Sequence, residues 1–299
     1  MAGFAAGKDH FTRVPVHAHL LGHPTAGPIP AGTGIGPGQA GHTACCRGPV
    51  IGHVRDAGEY GRPAARAMTA RPARPGCQPP DVRGVIVTRF REDHTGPLTL
   101  SGHAPAYPGK DEDDAREDSV FGLPPPACPP STASVRDWHP IEGTGPPAGG
   151  FDGPAGLGGN GTVTALPTPG RGPGSTGVLV RGERGFLLTG DARYTVRHLA
   201  ADQVRAIPAG GTERYAESIR RIQRLRRELP GLVIATAHDH PVHGKRRVAG
   251  LADGSLPDED CEWLKAYERG TFDELCNINP ARPPRFVPGA DGEQVGDVV

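Results

Sequence analysis

Asp93 and His94 stand side by side in the stretch Thr88-Arg89-Phe90-Arg91-Glu92-Asp93-His94-Thr95-Gly96. Further along, Asp191 follows Leu187-Leu188-Thr189-Gly190, and His238 follows Leu232-Val233-Ile234-Ala235-Thr236-Ala237. Carboxylate oxygens and imidazole nitrogens together are natural ligands for a borderline divalent cation such as zinc. Such a cation lowers the pKa of a bound water and polarises a carbonyl, which is the chemistry of hydrolysis. Taken singly, each residue reads as an N-cap, a turn aspartate or a satisfied histidine. Taken together, each at the end of a strand-like run, they read as one ligand set.

The elements that must position them follow from local pattern. Gly84-Val85-Ile86-Val87 is short, β-branched and bounded by turn formers, so it predicts a buried strand ending in a polar loop. Thr162–Leu166, Val178–Val180, Phe186–Thr189 and Leu232–Thr236 predict further strands. Ends of such strands along one edge of a sheet can converge on a single point. Between the last two, Glu213 to Leu229 carries Ile219, Ile222, Leu225 and Leu229 at helical spacing and stops at Pro230-Gly231, predicting an amphipathic helix. Its other face holds Arg220, Arg221, Arg224 and Arg227, interleaved with Glu213, Glu217 and Glu228 and without stacking aromatics. That pattern reads as a solvated face rather than a nucleic-acid surface.

The flanks of these residues resemble motifs of one family. Thr-X-X-X-X-Asp-His-X-Gly after a Val/Ile strand resembles the Thr-His-X-His-X-Asp-His-X-Gly loop of metallo-β-lactamase-fold hydrolases, with Arg89 and Arg91 where the two leading histidines stand. Thr168-Pro169-Gly170-Arg171-Gly172-Pro173-Gly174-Ser175 resembles the family's Thr-Pro-Gly-His-Thr-Pro-Gly-Ser loop, again with Arg for His. Gly190-Asp191-Ala192-Arg193-Tyr194-Thr195 is similar to the strand end that delivers the metal-bridging Asp, and is closest in look to the quorum-quenching N-acyl homoserine lactonase branch. Ala237-His238-Asp239 resembles the family's closing Gly/Ser-His-Asp.

The resemblance implies an α/β (α+β) fold, the four-layer αββα sandwich of two mixed sheets with helices outside. It implies a lactone- or ester-opening hydrolase, with Asp93 shuttling the proton and Tyr194 hydrogen-bonding the substrate. Of the family's two metal sites, one becomes Arg89, Arg91 and Arg171 here; the other keeps Asp93, His94, Asp191 and His238. A guanidinium has no lone pair to offer and stays protonated, so three arginines repel a cation rather than bind one. The expected cofactor is therefore one zinc ion rather than two, or another divalent metal in its place. The alternative is a catalytically dead relative, a pseudoenzyme or anion- and ligand-binding module on the same scaffold. His17, His19, His240 and His243 are expected to be surface or supporting histidines.

Composition bounds the rest. The 33 basic and 33 acidic residues cancel, which gives no pull toward nucleic acid or an anionic membrane, and leaves a small-molecule substrate as the expected partner. The 45 glycines and 34 prolines among 299 residues predict long loops. Six cysteines without a Cys-X-X-Cys pair, and a start without a secretory apolar core, predict a cytoplasmic protein with free thiols. The expected organisation is a single domain over 1–299, best matched over 82–243. The proline-rich, acidic stretch 104–132 is expected to be an exposed insertion and 280–299 a frayed tail. In the N-terminal part, Val14 to Gly36 loosely resembles the family's first hairpin, with Gly32 where the Asp of its closing Asp-Thr-Gly turn would stand. A short helix near Ala64–Ala70 and a terminal one over Asp258–Cys276 are also expected.

Overall fold

The computed structural model describes residues 16–32, 34, 78–116, 132–147, 149–182, 185–192 and 211–238, and two short strands near the C-terminus. A first sheet contains β1 (His19–His23), β2 (Gly27–Ala31), β3 (Val85–Val87) and β4 (Ala106–Pro108) in that order. The β1–β2 hairpin is antiparallel, and the β2–β3 and β3–β4 pairs are parallel. A short helix α1 (Glu92–Thr95) follows β3, and another, α2 (Lys110–Asp114), follows β4. The second sheet contains β5 (Ala155–Leu157), β6 (Val163–Pro167), β7 (Thr176–Val180), β8 (Phe186–Leu188) and β9 (Val233–Ala235). Its first three pairings are antiparallel and β8–β9 is parallel, with α3 (Thr212–Glu228) as the crossover between them. Both sheets are thus mixed, as expected.

Strand alternation explains the layering. On β7, β8 and β9, Val178, Leu188 and Ala235 face Ile29, Ala31 and Ile86 of the first sheet, forming the core between the sheets. Their neighbours Leu179, Leu187 and Ile234 point the other way, onto Tyr215, Ile219, Ile222 and Leu225 of α3. On the far side, Val85, Val87 and Ala106 pack with Leu98 and Val135. The period-two pattern of each strand serves two cores at once, which is why these runs are apolar throughout. Burying each Val, Leu or Ile side chain among them contributes about 1.5–3 kcal/mol.

The helix expected over Glu213–Leu229 is α3, shifted by one residue, with Arg220 and Arg221 hydrogen-bonded to Glu217 at 3.0 Å each. The arginine face is solvated, as its charge pattern predicts. Among the described residues, no helix is long and apolar enough to cross a membrane.

One expectation needs correction. The stretch from Ala104 onward is not an exposed insertion over residues 104–116. Ala104 and Ala106 are buried, β4 pairs with β3, and Glu112 is buried within the acidic run. Pro105 precedes this three-residue strand and Pro108 ends it, positions where a missing N–H is tolerated. Residues 117–131 lie outside the described residues, as do the helices expected at 64–70 and 258–276, and Tyr194, His240 and His243. Within the tail expected to fray, β10 (Val287–Pro288) pairs antiparallel with β11 (Gln294–Val295).

Candidate metal centre

Topology brings the candidate ligands to one edge. Strands β8 and β9 are parallel with Leu188 opposite Ala235, so Asp191 and His238 each lie three residues past a paired position, at the same end. β7 runs antiparallel to β8, which puts its N-terminus, and the preceding loop with Arg171, at that end too. The first sheet is tied on by a bond from the Thr176 N–H to the Thr88 carbonyl, 2.9 Å. Thr88 opens the loop with Arg89, Arg91, Asp93 and His94. Gly32 ends the first hairpin at φ +62°, a left-handed conformation open to glycine, and its N–H donates to Ile86, 3.0 Å.

Asp93, His94 and His238 form a cluster whose ligand atoms all lie within 4.8 Å of one another. His94 Nε2 and His238 Nε2 are each 3.6 Å from Asp93 Oδ2. Asp191 joins them through Oδ1, 3.1 Å from His94 Nε2 and 3.2 Å from His238 Nε2. The two imidazoles stand edge to face, with ring centroids 6.2 Å apart. Among the described residues, His17 and His19 are not part of this cluster, although the His17 N–H donates to the Ala237 carbonyl.

Asp191 turns its second oxygen to the arginines. Arg89 Nη1 forms a buried ion pair with Asp191 Oδ2, and Arg171 Nε lies 3.9 Å from the same oxygen. Arg91 does not join them. It is the most exposed of the three, with its Nε 3.8 Å from Asp93 Oδ1. The arginines expected to replace one metal site thus divide two and one.

Burial alone would raise the Asp191 pKa. The positive charges of His94 and Arg89, with hydrogen bonds from His238 and His94, outweigh it and hold the carboxyl well below the usual carboxylate range. Asp93 follows the same logic more weakly. Burial opposes ionisation, His94 and Arg91 favour it, and the balance lies below the usual value despite the like charge of Asp191.

The donor set fits a divalent cation. Two imidazoles and a carboxylate at mutual ligand distance, with a second carboxylate beside them, match the chemistry of a zinc-type centre. Asp93 Oδ1 is buried without a hydrogen-bond partner, an acceptor with capacity to spare. His94 Nδ1 lies 2.8 Å from Thr88 Oγ1. In the tautomer where Nδ1–H donates to that hydroxyl, the Nε2 lone pair faces the cluster. Sequence reasoning did not single out Thr88 for this role, though the motif contains it.

Across residues 56–238, more than half of the chain, the sequence matches the family model described as the metallo-beta-lactamase superfamily. The fold is similar to that of a mutant of AiiA from B. thuringiensis with N-decanoyl-L-homoserine bound at its active site. The TM-score is 0.61 and the identity 21%, covering 79% of this chain and 86% of that one. A structure of an N-acyl homoserine lactone hydrolase with N-hexanoyl-L-homoserine bound at its catalytic metal centre gives the same four values. A quorum-quenching N-acyl homoserine lactone lactonase gives a TM-score of 0.60 at 20% identity, covering 79% and 84% of the two chains. No curated protein sequence matches.

Proposed function

Since the chain belongs to the metallo-beta-lactamase superfamily, we propose that it is a metal-dependent hydrolase that opens a lactone or related ester. Asp93, His94, Asp191 and His238 would hold one divalent cation, zinc in the first instance. The observation that carries this reading is the meeting of two imidazoles and two carboxylates, from three separate strand ends, within hydrogen-bonding and ligand distance. The similar folds of proteins that hydrolyse N-acyl homoserine lactones point the substrate class toward lactones.

When bound, the cation supplies an activated water near neutral pH and polarises the substrate carbonyl. The chain's own residues do the rest. Asp93, ionised and with Oδ1 free of hydrogen bonds though 3.8 Å from Arg91 Nε, accepts the proton from the attacking water and passes it to the leaving alkoxide. Arg89 and Arg171 lie on the far side of Asp191 and keep it ionised with a fixed positive charge. Arg91, at the more open margin, suits the carboxylate that ring opening releases. Tyr194 is proposed to hydrogen-bond the substrate. Burial of Arg89, His94, Arg171, Asp191 and His238 excludes bulk water and strengthens each of these interactions. The proposed setting is the cytoplasm.

Elemental analysis of the purified protein tests the reading. About one divalent metal per chain is expected, lost in the Asp93→Asn, His238→Ala double variant, together with hydrolysis of a member of a lactone and ester panel. No metal after reconstitution, with no hydrolysis, would replace this reading with the second one, a ligand-binding scaffold. That reading is favoured by Arg89 Nε, a buried donor without a hydrogen-bond partner in a site that already holds one carboxylate. Oxyanion titration would then be the next measurement.

A further inference from the structure

Glu112 lies in the acidic run Asp111-Glu112-Asp113-Asp114, whose composition suggests nothing but solvated surface. The residue is instead only 5% exposed. Oε1 accepts the N–H of Phe90, 2.8 Å, and Oε2 accepts the N–H of Gly174, 3.0 Å. Phe90 sits between Arg89 and Arg91 in the loop that goes on to Asp93 and His94. Gly174 ends the loop that carries Arg171. One loop leaves the first sheet and the other joins two strands of the second, so a single carboxylate bridges the sheets at the edge where the candidate ligands meet.

We infer that Glu112 is a positioning residue that sets the gap between these two loops, and with it the geometry of the Asp93, His94 and Arg171 side chains. Its consequence for catalysis rests on the hydrolase reading above. The surrounding sequence is fitted to it. A Cβ at Gly172 would run into the Glu112 carboxylate, and one at Gly174 into the Glu112 backbone nitrogen. Gly172 stands where the family motif has Thr. A Cβ at Gly109, just before α2, would run into the Gly174 carbonyl, so the start of α2 is wedged against the same loop.

Two backbone donors on two oxygens need a carboxylate. A glutamine presents one acceptor and one NH₂ group, and the NH₂ would face a backbone N–H. Glu112→Gln is therefore a graded break, holding one loop and releasing the other, while Glu112→Ala releases both.

The test follows binding of cobalt(II), its visible spectrum, and amide exchange at Phe90 and Gly174. The variants are Glu112→Gln and Glu112→Ala, with Asp114→Asn on the exposed side of α2 as control. Glu112→Gln should weaken cobalt binding about tenfold and Glu112→Ala up to about a hundredfold, with an altered spectrum in both. Exchange at one or both amides should rise roughly tenfold while that of α3 stays unchanged. Asp114→Asn should match the wild type. Unchanged exchange in a folded Glu112→Ala protein would overturn the inference. So would faster exchange with unchanged cobalt affinity and spectrum, which would reduce Glu112 to a structural contact. If Glu112→Ala does not fold, the Glu112→Gln values decide. A wild type that takes up no cobalt would sink the metal reading, and exchange at the two amides would then decide the clamp by itself.

Discussion

The two oxygens of Asp191 meet opposite solutions to one electrostatic problem. Oδ1 faces His94 and His238, neutral-capable donors with lone pairs, beside the Asp93 carboxylate. Oδ2 faces Arg89 and Arg171, permanent cations without lone pairs. A buried carboxylate needs positive charge nearby, and that charge can come either from a captured ion or from a tethered side chain. On the Oδ2 side the protein carries its own cation covalently, always present and unable to activate a water. On the Oδ1 side the two imidazoles supply the positive charge, and the cation proposed above would add to it and bring the reactivity. The contrast lies in how one carboxylate can be held by two imidazoles on one side and two guanidinium groups on the other.

The largest effect should come from removing the shared partner. Asp191→Ala leaves Arg89 and Arg171 buried opposite no carboxylate at that position, and should cost about 3–5 kcal/mol in chemical denaturation at neutral pH. It is thus a structural lesion as well as a loss of ligand, which is why the double variant of Asp93 and His238 is the cleaner test of metal binding. The charges around the two carboxylates, His94 first and then Arg89 for Asp191 and Arg91 for Asp93, set the acid limb. The Asp191 and Asp93 pKa values are depressed in the folded state, so their stabilisation is fully present above the unfolded value of about 3.9 and is lost as pH falls through the lower folded values. Unfolding should therefore set in below about pH 4, and Asp191→Asn should flatten that limb in a pH series of thermal melts.

Converting the tethered side back to the recruited one sharpens the contrast. With Arg89, Arg91 and Arg171 all changed to His, the metal-free protein should melt lower than the wild type, because Asp191 Oδ2 loses its cations. Zinc should restore the melting temperature and raise the metal content by about one ion per chain. No gain in bound metal would mean that the loops no longer keep the inherited geometry. The smallest expected effect is at Thr88. Thr88→Val keeps the shape but removes the oxygen beside His94 Nδ1, and should weaken metal binding about tenfold with a stability loss of about 1–3 kcal/mol. Isothermal titration and denaturation would separate the two.

Much of the fold was legible because its strands are short, β-branched and closed by turn residues, and α3 carries a clear helical period. Asp93, His94, Asp191 and His238 were legible because each follows such a run within a motif. Glu112 was not, since a buried carboxylate inside four consecutive acidic residues has no local signature. Nor was β4, whose three residues lie among prolines. The division among the arginines was equally hidden, because Arg89 and Arg91 are two residues apart in a loop whose path is set by Glu112 and by the contact with Thr176.

Local sequence, then, determined the element types, the residues at each strand end and the guanidinium groups, without lone pairs, at Arg89, Arg91 and Arg171, because propensity and side-chain chemistry are properties of a few neighbouring residues. Tertiary structure alone decided that Asp191 turns one oxygen to two imidazoles and the other to two guanidinium groups, that Arg91 stands apart, and that Glu112 bridges the sheets. Those facts depend on distances between segments far apart in the chain, which are fixed by sheet register and by packing across two cores.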